Sequence, residues 1–238
     1  MNEERDGISV SRRWLPSVRK RLHHHLESWL GAWPPTQKLV VTTGPGRVEP
    51  GWDGQVHPVI GVGSPDEGTV LSVPPDILDE ARRIAARGGL PELADRLGPM
   101  MGRPDDRLHS GVFRWSEAPA SAALLPDAGE WIPADDRRLP AWLRPFGGQV
   151  LAALIDGEYA SGVGLKRHDR FGREVAVGTE ERFEGRGLGR RLVAQAARRV
   201  VEEGMIPTYL HDPANVASGI VAGAAGFPDR GWTVLGLW

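Results

Sequence analysis

Between Arg182 and Arg191 the chain reads Arg-Phe-Glu-Gly-Arg-Gly-Leu-Gly-Arg-Arg, a glycine-rich turn leading into an amphipathic helix and following a strand-like stretch, Glu174 to Thr179. Gly185, Gly187 and Gly189 let the backbone approach a ligand closely, and the unpaired amides of a helix start point outward there. Such a turn is an anion cradle, and a pyrophosphate is its natural guest. Spacing removes two of the usual carriers. A nucleotide P-loop ends in Gly-Lys-Ser/Thr, whereas Gly189 is followed by Arg190 and Arg191. A dinucleotide fingerprint needs G-x-G-x-x-G, and Arg190 stands where its third glycine belongs.

The spacing that fits is x-x-x-Gly-x-Gly over residues 184–189. Downstream, Tyr209-Leu210-His211-Asp212-Pro213-Ala214-Asn215-Val216-Ala217-Ser218 runs on to Ala225-Gly226-Phe227, a strand, a helix and a Gly-Phe ending. With both motifs in this order, roughly residues 109–238 resemble the GCN5-related N-acetyltransferase family.

Several expectations follow from the resemblance alone. It implies acetyl-coenzyme A as acyl donor, with its pyrophosphate at Glu184, Gly185, Arg186, Gly187, Leu188, Gly189 and Arg190 and its pantetheine arm near Asn215 and Ser218. It implies that the strand before the turn splays from its neighbour, so that an amide near Val177 to Thr179 polarises the thioester carbonyl for direct attack by an amine through a tetrahedral intermediate. A base must keep that amine neutral; Glu174 is the first candidate, with His168, His211 and Glu180 in reserve. The tyrosine that many members carry in the last helix is Ala222 here, which leaves water, Tyr209 or Ser218 to protonate the thiolate. Glu184 replaces the family's usual Gln or Arg and would repel a pyrophosphate unless turned outward. These two departures motivate the alternative, an acyl-coenzyme A binding or regulatory module with impaired turnover.

Charge-assisted bonds from Arg186, Arg190 or Arg191 to phosphate outweigh the helix-dipole penalty of placing cations at a helix start. Arg198 and Arg199, further along, read as a solvated face. An apolar wall for the acceptor is available from Trp131, Trp142 and Phe146, although these residues read equally as core.

The elements that must position this chemistry follow from periodicity. Gln149 to Ile155, Tyr159 to Arg167 and Arg173 to Thr179 read as an antiparallel meander with an Asp156-Gly157 turn, preceded by a first strand at Val112 to Trp115. A helix spans Leu188 to Glu203 and stops at Gly204; a strand follows at Ile206 to His211, a helix at Asn215 to Ala225 closed by Gly226, and a final strand at Trp232 to Trp238 in a closing hairpin. The expected fold class is α+β, a mixed and mostly antiparallel sheet with flanking helices.

Residues 1–108 read as a smaller α/β domain ahead of a catalytic domain at 109–238, supporting it or shaping its acceptor pocket. Trp14, Leu15, Val18, Leu22, Leu26, Trp29, Leu30 and Trp33 mark an amphipathic helix over residues 12–33, with Arg12 and Arg13 on its polar side and Pro34-Pro35 as its stop. His23, His24 and His25 diverge by about 100° per residue, so they cannot all face one metal and read as solvated or partly buried. Strands fit at Lys38 to Thr42, Val56 to Val62 and Thr69 to Val73. Asp76 reads as the N-cap of a helix closed by Gly88-Gly89, with a short helix at Pro91 to Leu97.

Composition bounds the rest. The chain has 238 residues, 40% of them hydrophobic, enough for a genuine core. A net charge of −2 provides no global field for nucleic acid or an anionic membrane, and neither partner is expected. Cysteine is absent, which removes disulfides, thiolate metal sites and an acyl-cysteine intermediate. No metal site is expected. With no apolar run long enough to span a membrane and no signal core, a cytoplasmic setting is the expectation. Neither the acceptor nor the oligomeric state is legible.

Overall fold

Among the described residues, ten strands pair into one sheet. The computed structural model describes residues 18–237; the readings for Arg12, Arg13, Trp14, Leu15 and Trp238 lie outside the described residues. In chain order the elements are α1 (Val18–Leu30), β1 (Leu39–Thr42), β2 (Ile60–Ser64), β3 (Gly68–Ser72), α2 (Leu78–Met100), β4 (Leu108–Trp115), β5 (Glu130–Pro133), β6 (Gln149–Ile155) and β7 (Glu158–Lys166). The chain continues through β8 (Gly172–Thr179), α3 (Leu188–Glu202), β9 (Ile206–His211), α4 (Val216–Ala224) and β10 (Thr233–Leu237). Hydrogen-bonded neighbours follow the order β1-β3-β2-β10-β4-β9-β8-β7-β6-β5, and of these pairings only β1–β3 and β8–β9 are parallel. The class is α+β with a mostly antiparallel open sheet and flanking helices, as the periodicity predicts.

Alternation along the strands assigns the helices to faces. Val70 and Val234 belong to the core under α1, while their neighbours Leu71 and Leu235 belong to the core under α2. Similarly, Ile206 lies under α1 and Tyr209 lies against α3 and α4. The helices α2, α3 and α4 therefore cover one face. The opposite face carries α1 and the turn Ala141–Phe146, whose Leu143 and Phe146 pack on Val150 and Ala152.

Several local readings are corrected. Helix α1 stops at Gly31 rather than at Pro34-Pro35, because Gly31 takes φ +94 and packs so closely on the Thr43 carbonyl that no Cβ would fit. Asp76 lies within a short 3-10 turn and caps nothing; α2 starts at Leu78 and is broken at Gly89, where φ is 67. Strand β2 begins at Ile60, not Val56, since Pro58 has no N–H for a ladder and residues 43–59 instead form a loop held by its own bonds. The last strand does not close a hairpin: β10 lies between β2 and β4, antiparallel to both. Strand β5, on the sheet edge and ended by Pro133, has too short a pattern to be read from sequence.

One sheet thus runs across residue 108, with β10 hydrogen-bonded to β2 on one side and to β4 on the other. The α1 core likewise joins Leu22, Leu26, Val62 and Val70 to Phe113, Trp115 and Trp232. Among the described residues, no helix is long and apolar enough to cross a membrane.

Helix α3 has a second task. Arg191, Gln195 and Arg198 occupy one face at spacings of four and three. Arg191 bonds the carbonyls of Pro126 and Asp127, Gln195 receives the amides of Ala128 and Gly129 and donates to the Gly129 carbonyl, and Arg198 holds the Ala120 carbonyl and Asp127. Rather than being solvated, Arg198 ties the irregular segment 120–129 to the helix. Arg199 lies 4.2 Å over the Trp131 ring.

A piece comprising residues 108–238 would expose the β10 edge and the apolar faces of Phe113, Trp115 and Trp232. We expect it to lose cooperative thermal unfolding and to self-associate, as read by calorimetry and light scattering against the full chain.

Candidate active site

Strands β8 and β9 pair only at Gly172–Ile206, Arg173–Pro207 and Glu174–Thr208. Beyond that point β8 stays with β7 as far as Thr179 while β9 stays with β4 as far as His211, so the sheet opens between them. Which groups face the opening follows from the antiparallel alternation. The Glu180 amide donates to the Ala160 carbonyl at 2.9 Å, so residues 178, 176 and 174 direct their backbone polar groups to β7. Those of Val177 and Thr179 point into the opening, where β9 is no longer alongside.

The glycine turn lies at the top of β8, on the α3 face. Gly185 and Gly187 have φ of +72 and +74, values that a side chain would strain, and a Cβ on Gly185 would meet nothing within 4 Å. Helix α3 begins after Gly187 with no side-chain cap, so the first-turn amides at Leu188, Gly189 and Arg190 are available to a ligand. A Cβ at Gly189 would lie 3.5 Å from Thr179 Oγ1 and 3.8 Å from Val177 and from Val221, which places the helix start, the end of β8 and α4 around one point.

The side chains of the turn sort themselves. Glu184 is exposed, at φ −62 and ψ 160 on the way out of a short 3-10 turn. Arg186 folds back over the Phe183 ring and bonds the Arg182 carbonyl. Arg191 is committed to segment 126–127, whereas Arg190 is exposed beside Gly187. Asn215 caps α4, its Oδ1 accepting the Ser218 amide at 2.9 Å. Ser218 Oγ in turn meets the Tyr209 hydroxyl at 2.8 Å. Tyr209 is buried in the core that also holds Ala222, and burial raises its hydroxyl pKa. A strand-borne hydroxyl therefore stands next to the helix whose own tyrosine is missing.

The opposite face carries a cavity of about 940 Å³ between α1, the loop 43–59, the β7–β8 turn and the ends of β4 and β9. Its floor is a buried carboxylate, Glu174, paired with Lys166 and with His168 Nε2 at 2.8 Å. Burial would raise the Glu174 pKa, but the charge of Lys166 and the bond and charge of His168 outweigh it and bring the group down to about 2. Because a carboxylate only accepts, His168 Nε2 carries the hydrogen, so in the neutral ring Nδ1 is the nitrogen with the lone pair. The His168 ring stacks on Trp29 at 4.6 Å, and Trp29 stacks on His25. His25 is fully buried with Nδ1 2.7 Å from Asp169, a correction to its reading as solvated or partly buried.

The two other reserves are placed differently. His211 Nδ1 faces the Asp212 carbonyl at 2.8 Å and must donate, and its Nε2 receives the Arg114 Nε–H at 3.1 Å, so both ring nitrogens are committed. Glu180 is exposed at the end of β8. Among the proposed wall residues, Phe146 packs on Trp52 at 4.7 Å and Trp142 packs on Gly178, while Trp131 is on the other face under Arg199. Sequence reasoning missed Trp29, Lys166 and the whole loop 43–59. Trp29 was legible only as one more apolar position of α1.

The carboxylate sets an acid limit to stability. A group depressed from 4.5 to about 2 contributes fully above pH 4.5 and loses its contribution as pH falls through about 2, on the order of 3 kcal/mol. Denaturant unfolding of the wild type should therefore weaken between pH 5 and pH 2 more steeply than that of Glu174→Gln. Equal slopes would contradict the pairing.

Residues 112–227 match the model of the Acetyltransferase (GNAT) family. No curated protein matches the chain. Among solved structures, a GCN5-related N-acetyltransferase-like protein from Streptococcus suis 89/1591 aligns over 93% of this chain and 100% of its own, at 15% identity and a TM-score of 0.50. A GNAT-family acetyltransferase from Novosphingobium aromaticivorans aligns over 55% of this chain at 19% identity and a TM-score of 0.45, and one from Colwellia psychrerythraea over 60% at 12% and 0.44. The chain spans 64% and 62% of the lengths of these last two. The Streptococcus suis likeness supports the fold across nearly the whole chain. With its glycine turn, opened sheet and following strand and helix, the segment 112–227 is a domain of the GNAT acetyltransferase family, whose chemistry is acyl transfer.

Proposed function

We propose that the protein transfers an acetyl group from acetyl-coenzyme A to the amine of a small molecule or peptide. The observation that carries this reading is the parting of β8 and β9, with the unmatched backbone groups of Val177 and Thr179 lining the opening and the uncapped start of α3 at its head. These features fit the donor: the amides of residues 185–190 suit a pyrophosphate, and the opening suits an extended arm that hydrogen-bonds like a strand. When bound, the donor supplies an activated thioester. The exposed Arg190 is the cation best placed to add a charge-assisted bond, and Asn215 Nδ2 stays free while its Oδ1 caps α4.

The Val177 amide, aimed into the opening, is the donor to the negative charge that develops on the thioester oxygen. For the base, a carboxylate held near 2 has almost no affinity for an ammonium proton. We therefore assign proton acceptance to His168 Nδ1 and make Glu174 the positioning residue that fixes its tautomer. Protonation of the departing thiolate falls to Tyr209, bonded to Ser218 beside α4. The outward Glu184 leaves the backbone cradle unobstructed, which favours an active transferase over a silent binding module.

Calorimetry with acetyl-coenzyme A and a thiol-release assay over an amine panel test the reading. Gly187→Glu places a carboxylate and a strained φ in the cradle and should weaken donor binding at least 100-fold on the order set by losing several charge-assisted bonds. His168→Ala should leave donor affinity unchanged and lower kcat by about 10² to 10⁴. Tight donor binding without thiol release from any amine would favour the silent module.

A further inference from the structure

Loop 43–59 places a guanidinium on the wall of the 940 Å³ cavity that none of the described residues neutralises. Arg47 is 3% exposed, yet forms no ion pair among the described residues. Its Nη1 donates to the His57 carbonyl at 2.7 Å, and its Nε is buried without an acceptor. The carboxylates that line the same cavity are engaged elsewhere or exposed. Asp53 is held by His57 at 3.0 Å and by the Gln55 amide; Asp169 is taken by His25 and by the amides of Phe171 and Gly172; Glu174 is paired with Lys166 and His168. Asp212 receives the Ala214 amide, and Glu49 is exposed to solvent. Burial pulls the Arg47 guanidinium from its ordinary value down to about 10, still cationic at neutral pH.

A buried cation without a counter-charge is costly, and chains retain one where a ligand brings the missing anion. A planar guanidinium matches a carboxylate in particular, because its fork takes both oxygens. We infer that Arg47 is a specificity residue that binds the carboxylate of the acyl acceptor, so that the acceptor is a small amine that also carries a carboxylate, of the amino-acid class. This rests on the acetyltransferase reading, with the amine delivered to His168 on the same cavity wall. Trp29, stacked on His168, and Trp52, stacked on Phe146, supply flat apolar surfaces for the remainder of the molecule. It also gives the N-terminal segment a task in recognition, since Arg47, Trp52 and Trp29 all come from it.

The test compares acids with their amides on the full chain. L-phenylalanine, L-leucine, L-lysine and glycylglycine are titrated calorimetrically against their C-terminal amides, with and without coenzyme A. We expect at least one acid to bind ten-fold or more tightly than its amide. Arg47→Met should abolish that preference while changing amide affinity less than two-fold, and Arg47→Lys should retain part of it. Equal affinity for acid and amide in the wild type, or binding by none of the probes, overturns the inference without any variant. A loss in Arg47→Met that is the same for acid and amide assigns the residue to loop anchoring and overturns it too. The transferase reading fails separately: acid preference with no thiol release keeps the carboxylate site and removes the transfer, whereas thiol release from amines with no acid preference does the reverse.

Discussion

A sheet that stops pairing in its middle leaves backbone donors and acceptors that no neighbouring strand satisfies, and the arrangement of this molecule follows from where that happens. The ladder between β8 and β9 ends at Glu174 and Thr208. Each strand is held on its far side, β8 by β7 and β9 by β4, so the opening cannot zip shut without breaking paired strands elsewhere. Unpaired main-chain groups are tolerated only where water or a ligand reaches them. The opening therefore suits the proposed binding of an extended donor arm, because it leaves hydrogen bonds unmade.

Two faces meet at that slot with different chemistry. On one, α3 starts uncapped above glycines with left-handed backbones, a site for anions. On the other lies a cavity lined by a buried carboxylate, an imidazole whose tautomer the carboxylate fixes, and a guanidinium with no ion pair among the described residues. The separation suits the proposed reaction of two substrates, because donor and acceptor can each approach from its own side of the sheet. Pairing outweighs burial in the proposed division of roles: Glu174, attractive as a base from its place in the strand, is too well stabilised as an anion by Lys166 and His168 to take up a proton.

Rigidity around the slot comes from tethers with long sequence separation. Helix α3 binds segment 120–129 through Arg191, Gln195 and Arg198, and α1 reaches the β7–β8 turn through His25 and Asp169. The second tether fixes the turn that carries His168, and Trp29 stacks on the imidazole from the same helix. Residues far apart in the chain thus hold the proposed base in place.

The sequence by itself determined the elements whose signals are local. Periodicity identified the β6–β7–β8 meander, α3, β9 and α4 to within a few residues, and the glycine spacing located the turn, because backbone strain and alternation act over a few positions only. Strand β5 and the start of β2 escaped, the one too short for a pattern and the other shifted by Pro58. Tertiary structure alone decided the partners. It set β10 between β2 and β4, buried His25, committed both nitrogens of His211, and brought loop 43–59 over the cavity, where Arg47 has no ion pair among the described residues. The physical reason is range: a side chain's charge state and accessibility depend on what packs against it, and those neighbours come from segments that no local spacing connects.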